Sequence, residues 1–593
     1  MVSRATPRHP GHVLSVADTL RLLAAQGALS DGQVAQVQKS LNPDDERHPF
    51  VQLADLGLRT GGRAPEPLTL EAVTRRVAQA SELPYFRIDP LKIDVEAVTS
   101  LVSQAYATRF GFLPVQVGEE EVTVAVCDPL NDEWVPELSR VLRRRILRVL
   151  CNPRDLQRYQ REFFGVSRSI SGATNRNSGE ARSMINNFEQ LTELGSVGEP
   201  DANDRHIVHL VDWLLQYAFE QRASDIHIEP RREQSNIRFR IDGVLHLIHQ
   251  LPTGVIGAIT SRIKTLGRMD VADKRRPQDG RIRTKTPDGQ EIELRLSTMP
   301  TTFGEKLVLR IFDPEKLAQP FEALGFSDDD MTAWNAIVGQ PHGIILVTGP
   351  TGSGKTTTLY SALKRLARPE INVCTIEDPI ETVEPSFNQM QVQPILDIDF
   401  ASGVRTLLRQ DPDIIMVGEI RDRETADVAI QAALTGHLVL STLHTNDAPS
   451  AVTRLIDIGV QPFLIGATLL GVVAQRLVRT LCTHCRQPGA VPAAAWHSLV
   501  APLDRPLPAG TMQATGCDEC RHTGFRGRRG IYEIMRMNET LSSLIGPGLD
   551  LASLRRAALA NGMHPLRQAG ADRVASGLTT VEEVLSVVPP PER

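Results

Sequence analysis

Ile344-Ile345-Leu346-Val347-Thr348-Gly349-Pro350-Thr351-Gly352-Ser353-Gly354-Lys355-Thr356-Thr357-Thr358 is the stretch whose reading decides the fold. Its first five residues form a short apolar run, as expected of a buried strand, and from Thr356 the chain reads as the opening turns of a helix. Between the two, glycines let the backbone wrap a phosphate with its N–H groups pointing inward, and the helix N-terminus adds partial positive charge. Gly349, Pro350, Thr351, Gly352, Ser353, Gly354, Lys355, Thr356 and Thr357 are the expected ATP-binding residues. Lys355 is expected to reach the β- and γ-phosphates and the Thr356 hydroxyl to ligate Mg2+. A Gly/Ser-rich turn matching by chance is the competing reading, and the strand before the loop and the helix after it argue against it.

Outward from this loop, residues 331 to about 480 alternate short apolar strands with helices, the pattern of a parallel α/β sheet. The strands read as Ile344–Thr348, Val373–Ile376, Ile414–Val417 and Leu438–Thr442. Ligands of open α/β sheets bind beyond the carboxyl ends of strands, and two of these strands end in acids. Thr375-Ile376-Glu377-Asp378-Pro379-Ile380-Glu381 offers Glu377, and Asp413-Ile414-Ile415-Met416-Val417-Gly418-Glu419 offers Glu419. The usual Walker B strand ends in Asp; here Gly418 takes that place. The expectation is that Thr356 and waters hold the metal and that Glu419 polarises the attacking water. An acid at a strand end also serves as a helix cap, which is the plainer reading of each. His444, at the end of a further strand, is placed to contact the γ-phosphate, whereas His437 at its other end reads as structural.

The chain has 593 residues, which implies several domains, and its net charge of −6 argues against nucleic acid as the main partner. No apolar run approaches the roughly 18 to 20 residues needed to span a bilayer, and the first ten residues lack a signal-peptide core, so a cytoplasmic location is expected. Of seven cysteines, Cys127, Cys151 and Cys374 stand alone in apolar sequence and read as small core residues. Cys482-x2-Cys485 and Cys517-x2-Cys520 are two turns, 31 residues apart, that each present two thiolates; together they complete a tetrahedral Zn2+ site. A redox CxxC would stand alone on a thioredoxin-like pattern. The insert from Gln487 to Gly516 is expected to loop out at modest entropic cost.

The expected division is an amino-terminal docking domain over 1–165, a flexible polar linker over 166–202, an α+β domain over 203–313 and a second connection over 314–330. An ATPase domain follows over 331–593, with the zinc element at 481–530, a helical C-terminal part and a proline tail.

These motifs together resemble the secretion ATPases of type II secretion and type IV pilus assembly. The resemblance rests on Gly349–Thr356, the aspartate box Thr375–Glu381, the Walker B segment Arg409–Asp422 and the histidine box Thr435–Asn446. It rests further on Ala223–Pro230, Arg238–Gly243, Pro277–Arg281 and Ala474–Arg479. The family's Walker B carries the same Gly–Glu departure. The resemblance implies a RecA-like P-loop NTPase core preceded by a PAS-like α+β domain, an amino-terminal α/β docking domain and a four-cysteine zinc element, assembled as a homohexamer. It implies catalytic arginines at Arg281 and Arg295 on the PAS-like side and at Arg405 and Arg409 on the RecA-like side, where guanidinium groups stabilise the transferring phosphoryl. The partners it implies are an inner-membrane platform protein and the cytoplasmic part of a membrane anchor, with the motor held peripherally at the inner membrane. Some relatives bind cyclic di-GMP through amino-terminal Arg-Leu-Gly-type repeats; here Leu53-Ala54-Asp55-Leu56-Gly57 is only a degenerate version, so docking without that ligand is the expectation.

The function expected is ATP hydrolysis powering pseudopilus assembly for type II secretion, with type IV pilus extension as the alternative that shares every motif used. From other classes, a nucleic-acid translocase lacks its basic, aromatic-interleaved stretch, and a regulatory nucleotide-binding protein without turnover does not need the full set of acidic and histidine boxes.

Overall fold

In the computed structural model the described residues are 14–40, 45, 47–60, 67–90, 92–174, 204–286, 289–313, 319–501 and 505–588. The first ten residues, most of the expected linker and the proline tail lie outside them. The first nine residues of that linker, 166–174, continue the helix Pro153–Thr174. The chain divides into two compact units: 1–240, 245–281 and 296–309 form one, and 241–244, 282–295 and 310–593 the other. The expected 203–313 domain is thus shared between them.

In the first unit, helices surround a three-stranded sheet of β1 (Phe112–Val117), β2 (Glu121–Val126) and β3 (Arg145–Leu150). β1 and β2 are antiparallel, β2 and β3 parallel. Trp134 is buried and its ring stacks on Phe112 at 4.2 Å. Helix Arg205–Glu220 then leads into a six-stranded sheet in the order β6-β5-β4-β9-β8-β7. Its strands are β4 (Asp225–Glu229), β5 (Gln234–Ile241), β6 (Val244–Pro252), β7 (Gln278–Lys285), β8 (Glu291–Thr301) and β9 (Gly304–Phe312). On β5 and β8 buried residues alternate with less buried ones, as in strands covered on one face. Lys264, fully buried beneath this sheet, is neutralised by Glu305 at 2.7 Å and donates to Asp273 O at 2.9 Å, as a buried charge requires.

The second unit is built on a seven-stranded sheet in the order β12-β11-β13-β14-β10-β15-β18. Its members are β10 (Gly343–Thr348), β11 (Val373–Glu377), β12 (Asn388–Gln391), β13 (Ile414–Val417), β14 (Leu438–Leu443), β15 (Leu469–Leu481) and β18 (Phe525–Arg536). Six strands are parallel and β18 joins antiparallel at the edge. All six residues of β10 are buried, because helices cover both faces. Ile344 and Leu346 enter one core, with helices Phe400–Leu407, Arg423–Leu434 and Pro449–Asp457. Ile345 and Val347 enter the opposite core, with Trp334 and the helix Lys355–Leu366.

The expected looping out of 487–516 is not what the chain does. β16 (Gln487–Pro488) pairs with β17 (Met512–Gln513), and helix Ala493–Val500 buries Trp496, Leu499 and Val500 in the core shared with the C-terminal helices Leu566–Ala575 and Val581–Val587. The apolar face of that short helix has to be covered, and the C-terminal helices cover it. Arg505 pairs with Asp572 at 2.7 Å on the same junction.

Candidate nucleotide site and metal knuckle

The loop 349–354 leaves β10 and feeds helix Lys355–Leu366. Two of its glycines are required by geometry. Gly354 caps that helix at φ 88°, a left-handed conformation costly for other residues. A Cβ on Gly349 would lie 2.6 Å from Gln475 O and 2.7 Å from Ser353 Oγ. Gln475 on β15 is the prop beneath the loop: its amide donates to Ser353 O at 2.6 Å and its carbonyl accepts from Thr358 Oγ1 at 2.9 Å. Lys355 Nζ donates to Gly349 O at 2.8 Å and to Pro350 O at 3.2 Å. Burial lowers its pKa to about 8, with Glu419 opposing and Arg476 adding to the shift. A cavity of about 400 Å³ opens beside the loop, lined by Pro350, Thr351, Gly352, Ser353, Arg476 and Arg479 among others.

Glu419 and His444 meet at the carboxyl ends of β13 and β14, His444 Nε2 3.5 Å from Glu419 Oε2, and Arg421 pairs with Glu419's other oxygen. The turn that carries Glu419 is pinned by Thr442 Oγ1 donating to Gly418 O at 2.7 Å and Ile420 N donating to Thr442 O at 3.0 Å. Burial lowers the pKa of His444, and Lys355 lowers it further. Lys355, Glu419 and His444 are thereby brought to one place.

Gly418 also has a packing reason. A Cβ there would lie 3.2 Å from the Phe400 ring and 3.3 Å from Ile376 O, so a side chain would press on the neighbouring strand.

Glu377 has a different setting. It is buried and accepts from Tyr360 Oη at 2.6 Å, Thr375 Oγ1 at 2.6 Å and Gln389 Nε2 at 3.1 Å. This polar knot ties the loop helix to β11 and β12. Glu381, further along the same box, pairs with Arg295 at 3.1 Å, and Arg295 also donates to Ile380 O and lies over the Phe312 ring at 4.1 Å. Burial raises the pKa of Glu381 while Arg295 and Arg310 oppose the rise.

Arg405 pairs with Glu424 at 2.7 Å, and Arg409, just past the end of helix Phe400–Leu407, donates to Arg405 O at 3.0 Å; both side chains are exposed. Arg281 is on β7, in the first unit. His437 Nδ1 lies 2.9 Å from Ala432 O, closing the end of helix Arg423–Leu434.

The four knuckle sulfurs lie within 4.8 Å of one another. Cys482–Cys517 and Cys517–Cys520 are 3.8 Å apart and Cys485–Cys520 3.7 Å. Four sulfurs about 2.3 Å from a tetrahedral zinc stand roughly 3.8 Å apart, so the donor set and its spacing fit that metal. Cys517 N and Gly524 N approach Cys520 Sγ at 3.1 and 3.2 Å, which suits a thiolate.

A strand–loop–helix phosphate cradle on a largely parallel sheet, with an acid and a histidine at adjacent strand ends, defines a RecA-like P-loop ATPase. The family model described as type II/IV secretion system protein matches residues 201–586, and the MshEN domain model matches 81–170. The chain belongs to this family of secretion ATPases. It is 51% identical over 569 residues to the type IV pilus assembly ATPase TfpB of Acinetobacter baylyi, covering 95% of this chain and 97% of that one. It is 40% identical over 470 residues to the type II secretion system ATPase E of Vibrio cholerae, covering 77% and 90%. A crystal structure of the pilus retraction motor PilT with bound ADP aligns at TM-score 0.45 and 26% identity, covering 64% of this chain and 95% of that one. Among the described residues no helix is long and apolar enough to cross a membrane.

The sequence assigns no role at the site to Gln475, Tyr360 or Thr348, although Gln475 lies within the family match Ala474–Arg479 and Thr348 ends the strand before the loop. Thr348 Oγ1 accepts from Thr445 N at 2.8 Å and donates to Leu443 O at 3.1 Å, tying the two strand ends together.

Proposed function

We propose that this chain is the ATP-hydrolysing motor that extends a type IV pilus. Hydrolysis is supported by the meeting of Lys355, Glu419 and His444 beside the phosphate loop. In this reading ATP's phosphates lie on 349–357 and Lys355 supplies countercharge. Glu419 takes the proton from the attacking water, and His444, neutral near pH 7, reports on the γ-phosphate. The Thr356 hydroxyl would hold Mg2+ bound with ATP, and the ion would supply charge neutralisation on the phosphates. Glu377, saturated by three donors, holds the scaffold. Arg281, Arg295, Arg405 and Arg409 are the candidates to stabilise charge on the transferring phosphoryl, with a homohexamer as the assembly in which they would act.

Of the two outlets that the motifs allow, pilus assembly is supported by TfpB, whose likeness extends over nearly the whole chain, amino-terminal region included. The type II secretion ATPase of V. cholerae matches over 77%. The region 203–313 acts as the PAS-like half of the motor, 1–165 docks on a membrane-anchored partner, and the ring pushes an inner-membrane platform protein. Cyclic di-GMP is the competing occupant of the amino-terminal domain, disfavoured by its degenerate repeats. Cys482, Cys485, Cys517 and Cys520 would hold one Zn2+, which would clamp the knuckle.

Deleting the gene tests the outlet: surface pili are lost while exoprotein secretion continues. Lost secretion with normal pili overturns the assignment to pili. Phosphate release by the purified protein, with mass measured by light scattering, tests hydrolysis and the hexamer.

A further inference from the structure

One buried carboxylate outside the nucleotide site braces the chain that follows His444. The register across the sheet puts Leu443 of β14 opposite Thr348 of β10, Thr348 opposite Ala474 of β15, and Ala474 opposite Glu533 of β18. Glu533 therefore stands in the same row as the end of the strand that enters the phosphate loop and the residue just before His444. It is 4% exposed. Oε1 accepts from Ala448 N at 2.7 Å and Oε2 accepts from Leu566 N at 3.1 Å. Ala448 precedes helix Pro449–Asp457, and Leu566 opens helix Leu566–Ala575. Helix N-termini have N–H groups with no intrahelical acceptor and carry partial positive charge, so one anion satisfies two ends at once. Burial pushes the carboxyl up to about 7, with the two N–H donors and Arg555 opposing and Asp447 reinforcing the rise.

What Glu533 holds is the run directly after His444, and each residue of that run is held by a different element. Thr445 N donates to Thr348 Oγ1 at 2.8 Å. Asn446 O accepts from Arg476 Nη2 at 2.9 Å. Asp447 pairs with Arg555 of the C-terminal helix Leu551–Ala560 at 2.6 Å. Ala448 is held by Glu533. Two of the four anchors, Arg555 and the Glu533–Leu566 contact, lead to the C-terminal helices.

We infer that Glu533 is a positioning residue that fixes the 445–448 run, and through it His444 against Glu419, and so links ATP turnover to the C-terminal helices. The inference rests on the ATPase reading above. Loss of such an anchor leaves the phosphate loop, and hence nucleotide affinity, in place while the geometry of the chemical step loosens.

The test is Glu533→Gln in the full-length protein. The amide keeps the volume but faces one of the two N–H donors with an NH2 group. The expected result is a fall of about tenfold or more in kcat, nucleotide Kd within about twofold of the parent, and faster backbone hydrogen exchange at 444–449 with none at 349–356. If the Gln variant does not fold, Glu533→Asp, whose shorter arm reaches only one junction, is read the same way. Unchanged kcat with unchanged exchange at 444–449 overturns the inference. So does a lowered melting temperature with kcat per folded site intact, which marks a structural role only. If the parent itself releases no phosphate, the ATPase reading fails on its own, and the exchange comparison in nucleotide-free protein still decides whether Glu533 holds the run.

Discussion

Glu377 and Glu419 both end strands beside the phosphate loop, and exchanging each for Gln separates a scaffold carboxylate from a catalytic one. Glu377 accepts three hydrogen bonds, from Tyr360, Thr375 and Gln389. Bonds to a charged acceptor contribute about 1.5–3 kcal/mol each. The full sum is not lost on Glu377→Gln. The Tyr360 and Gln389 groups keep a second acceptor in Thr382 O, at 3.2 and 2.9 Å, and the hydroxyls can turn to accept from the new amide. About 2 kcal/mol is therefore expected for Gln. For Ala, which orphans Thr375 and opens a buried void, about 3–4 kcal/mol is expected. For the nucleotide-binding unit this is a loss of several degrees in melting temperature, with turnover per folded molecule reduced only modestly. Glu419 is tied to exposed partners, so Glu419→Gln costs little stability and retains ATP. It should nevertheless lose about 10²–10⁴-fold in single-turnover hydrolysis. Thermal melting with and without nucleotide, alongside rapid-quench phosphate release, reads both quantities. Normal turnover in Glu419→Gln, together with a stable but inactive Glu377→Gln, would refute the assignment.

Other outcomes follow from the same geometry. Lys355 binds phosphate only when charged, and its pKa in the free protein is about 8; affinity for a non-hydrolysable ATP analogue is therefore flat below pH 8 and weakens by up to about tenfold per pH unit above it. Lys355→Ala binds weakly at every pH, and a parent whose affinity does not change up to pH 9.5 would contradict the argument. Elemental analysis should find about one zinc per chain, and zinc retained by a Cys482→Ser/Cys517→Ser double variant would exclude the knuckle as its site. Restoring an ordinary Walker B residue with Gly418→Asp should destabilise by about 1–3 kcal/mol through crowding of Phe400 and Ile376 O; a melting temperature at or above the parent's would show that the space exists.

What the sequence disclosed was local. Strand, loop and helix around 344–358 are contiguous, so their pattern can be read in one window, and the parallel strands β11, β13 and β14 announce themselves as short apolar runs between helices. The two CxxC turns are likewise self-contained. β15 and β18 escaped notice because each mixes arginines with apolar residues: β18 is largely exposed over 525–529 and buried over 530–535, so neither alternation nor a continuous run marks it. Glu377 reads as a catalytic acid from its position alone; the three donors that occupy it come from residues 360, 375 and 389. Arg405 is named as a phosphate ligand only by the resemblance, and its pairing with Glu424 on the next helix is invisible in the sequence. Non-local partners decide such roles, and a single sequence does not print them.

β15 ends at Leu481 with Cys482 immediately after it, and Cys520 stands just ahead of β18, whose Phe525 pairs with Leu481. The four sulfurs therefore occupy the place of a hairpin turn, with an entire folded insert threaded through it. While the chain is being synthesised, β15 emerges first and offers β10's apolar neighbour as an open edge, which is a template for pairing with other molecules. A metal held by the cysteines would close that long loop and hold β18 in register against β15 at the sheet's edge.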